Sequence, residues 1–220
     1  MIDRKQLREQ MEQVYGEMPP EKIPWNLSRP PELLVKEVKD GRIKPCKTVD
    51  LGCGAGNYAV WLARQGFDVT GMDISSHAIK LANQLATVKG VQCRFVTVDL
   101  LGDLAKYQDS FEFAYDWELL HHISPEDRPV YLKNVCHLLR PEGRYFSVCF
   151  SEDDRGFGGE GKYRKTPIGT ILYFSSEDEL RELFEPLFNI VELKTAEIQG
   201  KRGPHMVNAA WLKKGSKNEY

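Results

Sequence analysis

Glycines at positions 52, 54 and 56 follow an apolar stretch ending in Val49-Asp50-Leu51 and precede an amphipathic run that leads into Asp68-Val69-Thr70-Gly71-Met72-Asp73; no other feature constrains this chain as strongly. The pattern reads as a buried strand over 46–51, a tight turn, a helix from about Asn57 to Gln65, and a second strand over 67–73 closed by a carboxylate. A β-α-β unit of this kind is parallel. Glycines in its first turn let the backbone approach a ligand closely, and an acid ending the next strand can accept hydrogen bonds from the two hydroxyls of a ribose. The segment therefore points to a nucleoside-bearing cofactor, with Asp73 as the ribose ligand.

Spacing narrows the choice of cofactor. A dinucleotide turn is G-x-G-x-x-G, its third glycine allowing the helix to pack on the strand. Here the order is G-x-G-x-G, and Asn57 stands where the dinucleotide pattern has glycine. A nicotinamide-dependent oxidoreductase is thus the disfavoured alternative. With an acid two residues before the first glycine, Asp50-x-Gly52-x-Gly54-x-Gly56 resembles the first motif of class I S-adenosylmethionine-dependent methyltransferases. That resemblance implies a turn cradling the methionine end of S-adenosylmethionine, and S-adenosylhomocysteine as product. It also implies cofactor contacts at Asp73 and Ile74, with Asp99 on the adenine amino group and Leu100 beside it. Asp50 lies in a strand expected to be buried, where a carboxylate needs partners. The amides of the glycine turn and the cofactor's ammonium group are the candidates.

Beyond the glycine turn the chain keeps alternating. Strands are expected over 92–98, 111–117 and 144–150, with helices starting after Ser75, as N-cap, and at Ser124-Pro125-Glu126-Asp127, the latter running to Leu139. Ser176 and Glu179 form a capping box for a helix ending at Phe184. Two last strands, 190–198 and 207–212, are joined by the turn Gln199–His205 as an antiparallel hairpin at the sheet edge. The expected fold is α/β, a Rossmann-like doubly wound sheet of about seven strands, mostly parallel, with helices on both faces. Residues 1–45 form an N-terminal helical cover, with amphipathic helices over 3–15 and 32–40, residues 46–213 the methyltransferase domain, and 214–220 a polar tail. Within the domain, 151–167 reads as a mobile loop because it is polar and rich in glycine.

Composition limits the partners. Lys plus Arg is 30 against 32 for Asp plus Glu, so no basic excess suggests a nucleic acid. No apolar run approaches the roughly 20 residues of a membrane span, and the first residues lack the apolar core of a secretory signal, so a cytoplasmic protein is expected. The five cysteines show neither a C-x-x-C pair nor zinc-ligand spacing, and no metal is expected.

The acceptor side is read from two segments. Ligands of open α/β sheets bind outside the carboxyl ends of the strands, which brings Asp116, Trp117, Glu118, His121 and His122 near the transferred methyl. Asp116 and Trp117 are expected at the cofactor, and Asp116 and His121 are the candidate catalytic groups, histidine because it titrates in the useful range. Ile23-Pro24-Trp25, Asp73-Ile74-Ser75-Ser76-His77 and Tyr115-Asp116-Trp117-Glu118-Leu119-Leu120-His121 look most like the small-molecule thiopurine and tellurite-resistance methyltransferase group. In that group a tryptophan at the place of Trp25 packs on the cofactor. The Pro-Pro-Tyr that base-methylating relatives use to clamp a flipped base is absent after the fourth strand. The expected activity is methyl transfer by in-line displacement to a small sulfur, nitrogen, oxygen or chalcogen nucleophile. A non-catalytic S-adenosylmethionine-binding module is the remaining alternative, and the oligomeric state is left open.

Overall fold

A computed structural model describes residues 4–157 and 160–215. Two helices come first, α1 (Arg4–Glu17) and α2 (Glu32–Lys39). They are followed by β1 (Lys47–Leu51), α3 (Asn57–Arg64), β2 (Asp68–Asp73), α4 (Ser76–Lys89), β3 (Arg94–Thr97) and β4 (Phe111–Trp117). Then come α5 (Arg128–Leu138), β5 (Leu139–Phe150), β6 (Tyr163–Lys165), β7 (Ile171–Tyr173), α6 (Glu177–Phe184), β8 (Phe188–Gly200) and β9 (Gly203–Lys214).

Seven strands form one sheet in the order β3-β2-β1-β4-β5-β9-β8. The first five are parallel, and β9 runs antiparallel to both of its neighbours. The strand order reverses between β1 and β4, and that is where a doubly wound sheet opens a crevice at its carboxyl edge. Local chemistry fixes the helix ends. Ser75 Oγ accepts from Ala78 N at 3.2 Å to start α4, and Gly90, at φ +64°, closes it. The capping box of α6 is present, Ser176 Oγ accepting from Glu179 N and Glu179 Oε2 from Ser176 N.

Side chains alternate across β4. Phe113, Tyr115 and Trp117 face the layer of α2 and α3, where Leu34, Leu62, Phe146 and Trp211 join them. Ala114 faces the layer of α5 and α6 with Tyr131, Tyr145 and Phe184. α1 lies on α4 through Met11, Tyr15 and Ala78, a smaller core over the carboxyl edge of the sheet.

Three boundaries differ from the sequence reading, each for a local reason. Ser124 does not cap α5: its hydroxyl bonds to Asp127 Oδ2, residues 124–127 form a turn, and the helix starts at Arg128 with Pro129 behind it. The chain passes directly from α5 into β5, Leu139 pairing with Phe111 before an irregularity around Glu142, at φ +65°, re-sets the register at Arg144. The final hairpin pairs out to Gly200 and Gly203, so its turn is only Lys201 and Arg202.

The segment expected to be loop over 151–167 holds β6, which pairs with β7. Buried Arg164 donates to the carbonyls of Asp154, Gly156 and Glu152 and lies 4.0 Å from the Phe174 ring. Polar composition suggested a loop, but the side chain of Arg164 satisfies backbone carbonyls that would otherwise need water.

Candidate functional site

The crevice at the strand reversal contains two adjoining cavities. The first, of about 150 Å³, is built on the glycine turn and lined by Asp50, Gly52, Gly54, Asp73, Asp99 and Trp117 among others. Gly52, Gly54 and Gly56 have φ of +74°, +52° and +79°. A Cβ at Gly52 would stand 2.8 Å from Leu119 Cδ1, at Gly54 2.5 Å from the Tyr15 hydroxyl, and at Gly56 2.8 Å from Ala82 Cβ. Both the backbone conformation and the close packing therefore require glycine.

The amides of the turn do not serve Asp50, as the sequence reading expected. Those of Gly52 and Cys53 donate to the Met72 carbonyl, at 2.8 and 3.0 Å, and that of Gly54 donates to Asp73 Oδ2 at 2.9 Å. The turn is locked to the end of β2 instead. Asp50 is left 3% exposed, with Oδ2 lacking any hydrogen-bond partner among the described residues. Burial pushes its carboxyl up to about 7; the adjacent Tyr115 hydroxyl opposes that rise, and the charges of Asp73 and Asp116 add to it. Asp73 is fixed through both oxygens, Oδ1 accepting from Ser75 N and Oδ2 from Gly54 N, yet it still lines the cavity.

Ile74, Asp99 and Leu100 line the same cavity beyond Asp73. Asp99 Oδ1 accepts from Leu101 N at 2.9 Å, and Oδ2 is held by Arg4 of α1. α1 also supplies Tyr15, whose hydroxyl accepts from Trp25 Nε1 at 2.7 Å and sits against Gly54. Glu12 anchors this cover on the N-terminus of α4, accepting from Ser75 Oγ at 2.9 Å and Ser76 N at 2.8 Å. Burial alone would raise the Glu12 carboxyl; the bonds from Ser76, His77 and Ser75 overcome it and hold the group at about 2.

The second cavity, of about 370 Å³, shares Trp25, Trp117, Glu118 and His122 with the first. Its other walls are mostly apolar, including Pro24, Leu27, Phe157, Ile168, Leu172 and Ile198. His121 and His205 reach its edge.

Two expected catalytic residues are displaced by this geometry. Asp116 is fully buried and lines neither cavity; it accepts from Tyr131 Oη at 2.9 Å, from Ser147 Oγ at 3.0 Å and from Tyr145 Oη. The alternation of β4 explains the correction: Trp117 faces the cavities, so its neighbour faces the opposite layer. Asp116 thus sits in the core, against the expectation of a place at the cofactor or the transferred methyl.

His121 stacks on Phe150, with ring centroids 4.3 Å apart, and its Nδ1 accepts from Phe150 N at 3.3 Å. That bond puts the ring proton on Nε2, so His121 has no free lone pair to act as a base. Burial, and then the neighbouring His122, keep its basicity well below the ordinary histidine value.

Glu118, expected near the transferred methyl, stands at the junction of the cavities, and two residues that the sequence did not mark complete the site: Tyr15, and Arg128 behind the 120–123 turn. Tyr15 sits on an amphipathic helix face like any core aromatic, and nothing local marks it.

Residues 48–143 match the family model described as "Methyltransferase domain". Over those residues the chain is similar to methyltransferase domains. Among curated proteins, a 2-heptyl-1-hydroxyquinolin-4(1H)-one methyltransferase of Mycobacteroides abscessus is 24% identical over 196 residues, covering 87% of this chain and 82% of the relative. The chain spans only a little over half the length of several ubiquinone biosynthesis O-methyltransferases that it also matches.

Among solved structures, a protein studied for the conversion of a disulfide bond into a thioacetal group during echinomycin biosynthesis superposes with a TM-score of 0.81 at 23% identity. That match covers 94% of this chain and 92% of the other. The 1,6-didemethyltoxoflavin-N1-methyltransferase of Burkholderia thailandensis, with bound 1,6-didemethyltoxoflavin and S-adenosylhomocysteine, gives a TM-score of 0.63 at 22% identity, over 84% of this chain and 86% of that one.

The site fits S-adenosylmethionine. A buried carboxylate oxygen of Asp50 without a partner suits an ammonium group, which returns the hydrogen bonds and charge that burial removed. The three glycines leave the turn bare, and the first cavity runs from Asp50 past Asp73 to Asp99.

Proposed function

We propose that this chain is an S-adenosylmethionine-dependent methyltransferase acting on a small, mostly apolar, planar nucleophile that occupies the 370 Å³ cavity. The observation carrying this reading is that the second cavity meets the first at Trp25, Trp117, Glu118 and His122, so a molecule there would lie against the reactive end of the cofactor site. Bound S-adenosylmethionine supplies an already activated sulfonium methyl. What remains for the protein is to align an acceptor and exclude water.

Trp25 and Tyr15 close the site from the N-terminal side, and Lys201 holds that side down by donating to the carbonyls of Glu21, Ile23 and Asn26. Trp117 and Phe157 offer flat apolar walls. Asp50 would hold the cofactor's ammonium group, Asp73 the ribose hydroxyls, and Asp99 with Leu100 the adenine, for which Arg4 must share or release Asp99. Ile74 and Trp25 would flank the cofactor.

The curated relative named as a 2-heptyl-1-hydroxyquinolin-4(1H)-one methyltransferase supports a small-molecule acceptor. Among the described residues no helix is long and apolar enough to cross a membrane, and all five cysteines are free. Both features agree with work in the reducing cytoplasm.

The test is transfer of labelled methyl from S-adenosylmethionine to a panel of phenols, heteroaromatic N–H compounds, thiols and amines. Turnover of planar aromatic acceptors at least tenfold above aliphatic amines of similar size is expected; a flat response across the panel would remove the acceptor assignment. For the ribose ligand, Asp73→Ala is expected to weaken S-adenosylhomocysteine binding about 10- to 100-fold by calorimetry, in line with loss of charge-assisted hydrogen bonds. Unchanged affinity would reject that role.

A further inference from the structure

Glu118 follows the last residue of β4 and has a left-handed backbone, φ +62°, that side chains other than glycine adopt only at a cost. Its amide is tied to the Val148 carbonyl at 2.8 Å, so the end of β4 fixes this conformation. The turn places the side chain at the meeting of the two cavities, which it lines together with Trp25, Trp117 and His122. Its carboxylate makes no hydrogen bond or ion pair with any described residue. Glu118 is half-buried, so its carboxylate is solvated at the cavities rather than paired with protein groups. A carboxylate held by backbone strain at a cavity junction, with no partner, is available to a ligand.

We infer that Glu118 is the proton acceptor for a neutral acceptor bearing an O–H, N–H or S–H group in the larger cavity. This inference rests on the small-molecule reading above and deepens it by assigning the acceptor class. In the transfer, a Glu118 carboxylate oxygen takes the proton as the X–H bond breaks. The lone pair on X forms the bond to the methyl carbon, and the carbon–sulfur pair goes to sulfur, leaving a neutral thioether. The proton then leaves Glu118 for solvent.

The surroundings suit the task. Burial pushes the Glu118 carboxyl up to about 7, with the charge of Asp154 adding to it. A base poised near the working pH combines an ionised population with useful proton affinity. The titratable groups facing it are Asp154, from the segment after β5, Tyr58 of α3, and His121 and His122 of the following turn. Burial keeps His122 near 4 and neutral, and His121 is already bonded through Nδ1, which leaves Glu118 as the anionic group at the junction.

The experiment compares the full chain with Glu118→Gln in two ways. In the first, the carboxyl region of the infrared difference spectrum is followed from pH 5 to 9. Asp50 also titrates near 7, so a carboxyl protonation in that range that is present in the wild type and lost from the variant's otherwise similar titration is expected, and identical titrations in the two overturn the inference. In the second, methyl transfer to phenol, heteroaromatic N–H and thiol probes is measured over the same range, with S-adenosylhomocysteine calorimetry alongside. Wild-type kcat should rise through about pH 7, and Glu118→Gln should lower it at least 100-fold, remove that rise, and leave cofactor affinity within threefold.

A variant as active as the wild type with the same profile overturns the proton-accepting role while the small-molecule reading stands. Wild type and variant both silent on every protic probe, with cofactor binding intact, overturns the acceptor class as well. Should Glu118→Gln fold poorly, Glu118→Asp, which keeps the carboxylate and draws it back by one methylene, is expected to retain the pH-dependent rise at a reduced rate, and loss of that rise overturns the inference.

Discussion

Asp50→Asn is expected to make the protein more stable at pH 8 while weakening its hold on S-adenosylmethionine. In the folded chain the Asp50 carboxyl sits at about 7, against an ordinary value of 3.8, and burial is the main cause. An acid whose folded value is raised keeps its proton in the native state where the unfolded chain has already lost it. Unfolding then releases protons, so stability falls as pH rises from about 4 through 7. At pH 8 the full difference applies; at 1.36 kcal/mol per pH unit it amounts to roughly 4 kcal/mol, and about 2 to 4 kcal/mol is expected once relaxation is counted. Asparagine removes the charge and most of that cost.

The same substitution removes the anion that the cofactor's ammonium group would neutralise, so affinity should fall about 10- to 100-fold, as for other hydrogen bonds to charged groups. Urea denaturation at pH 5 and pH 8, with S-adenosylmethionine calorimetry, checks both halves. The stability gain should appear at pH 8 and shrink at pH 5, where wild-type Asp50 is itself protonated. A variant less stable at pH 8, or one binding the cofactor as tightly as before, would show that Asp50 is satisfied by protein groups and is not kept for a ligand.

The contrast between Asp50 and Asp116 shows how far the sequence can be read. Both are aspartates in buried strands, and both have carboxyls raised by burial. The glycine spacing beside Asp50 is a local signal, because a turn of that shape requires the glycines themselves, and Gly52 and Gly54 do line the cavity proposed for the cofactor. The succession of strands and helices, the final antiparallel hairpin and the capping of α4 and α6 were legible for the same reason: each depends on residues close together in sequence.

Asp116 carried no such signal. Its three hydroxyl donors come from α5 and β5, 15 to 31 residues away, and only the register of β4 decides whether its side chain meets them or the cavity. The role expected for His121 failed likewise, because a backbone amide of β5 occupies its Nδ1. The acceptor side of the site is assembled from the N-terminal segment, the turn after β4, the segment after β5 and the last hairpin, and no contiguous stretch of chain records that meeting.

Arg128 is the second residue expected to give a large effect, through the turn that carries the histidines. It is 3% exposed. Nε donates to the Ile123 carbonyl at 3.1 Å, Nη2 to the Leu120 carbonyl at 3.0 Å, and Nη1 to Ser175 Oγ at 2.8 Å, with the guanidinium 4.8 Å from the Tyr173 ring. One planar fork thus ties the start of α5 to the 120–123 turn and to the end of β7, a geometry that lysine cannot reproduce.

Arg128→Ala leaves two carbonyls of the turn without donors but also removes a buried charge; the net loss is expected at about 3 kcal/mol. Because Asp50, Asp73 and the glycine turn are held independently of it, S-adenosylhomocysteine affinity should fall only a few-fold while methyl transfer falls at least tenfold, the turn no longer holding His121 and His122 against the larger cavity. Arg128→Lys should recover less than half of the stability and little of the rate. If the lysine variant matched the wild type in both, charge alone would account for Arg128, and the turn would hold its shape without the guanidinium fork.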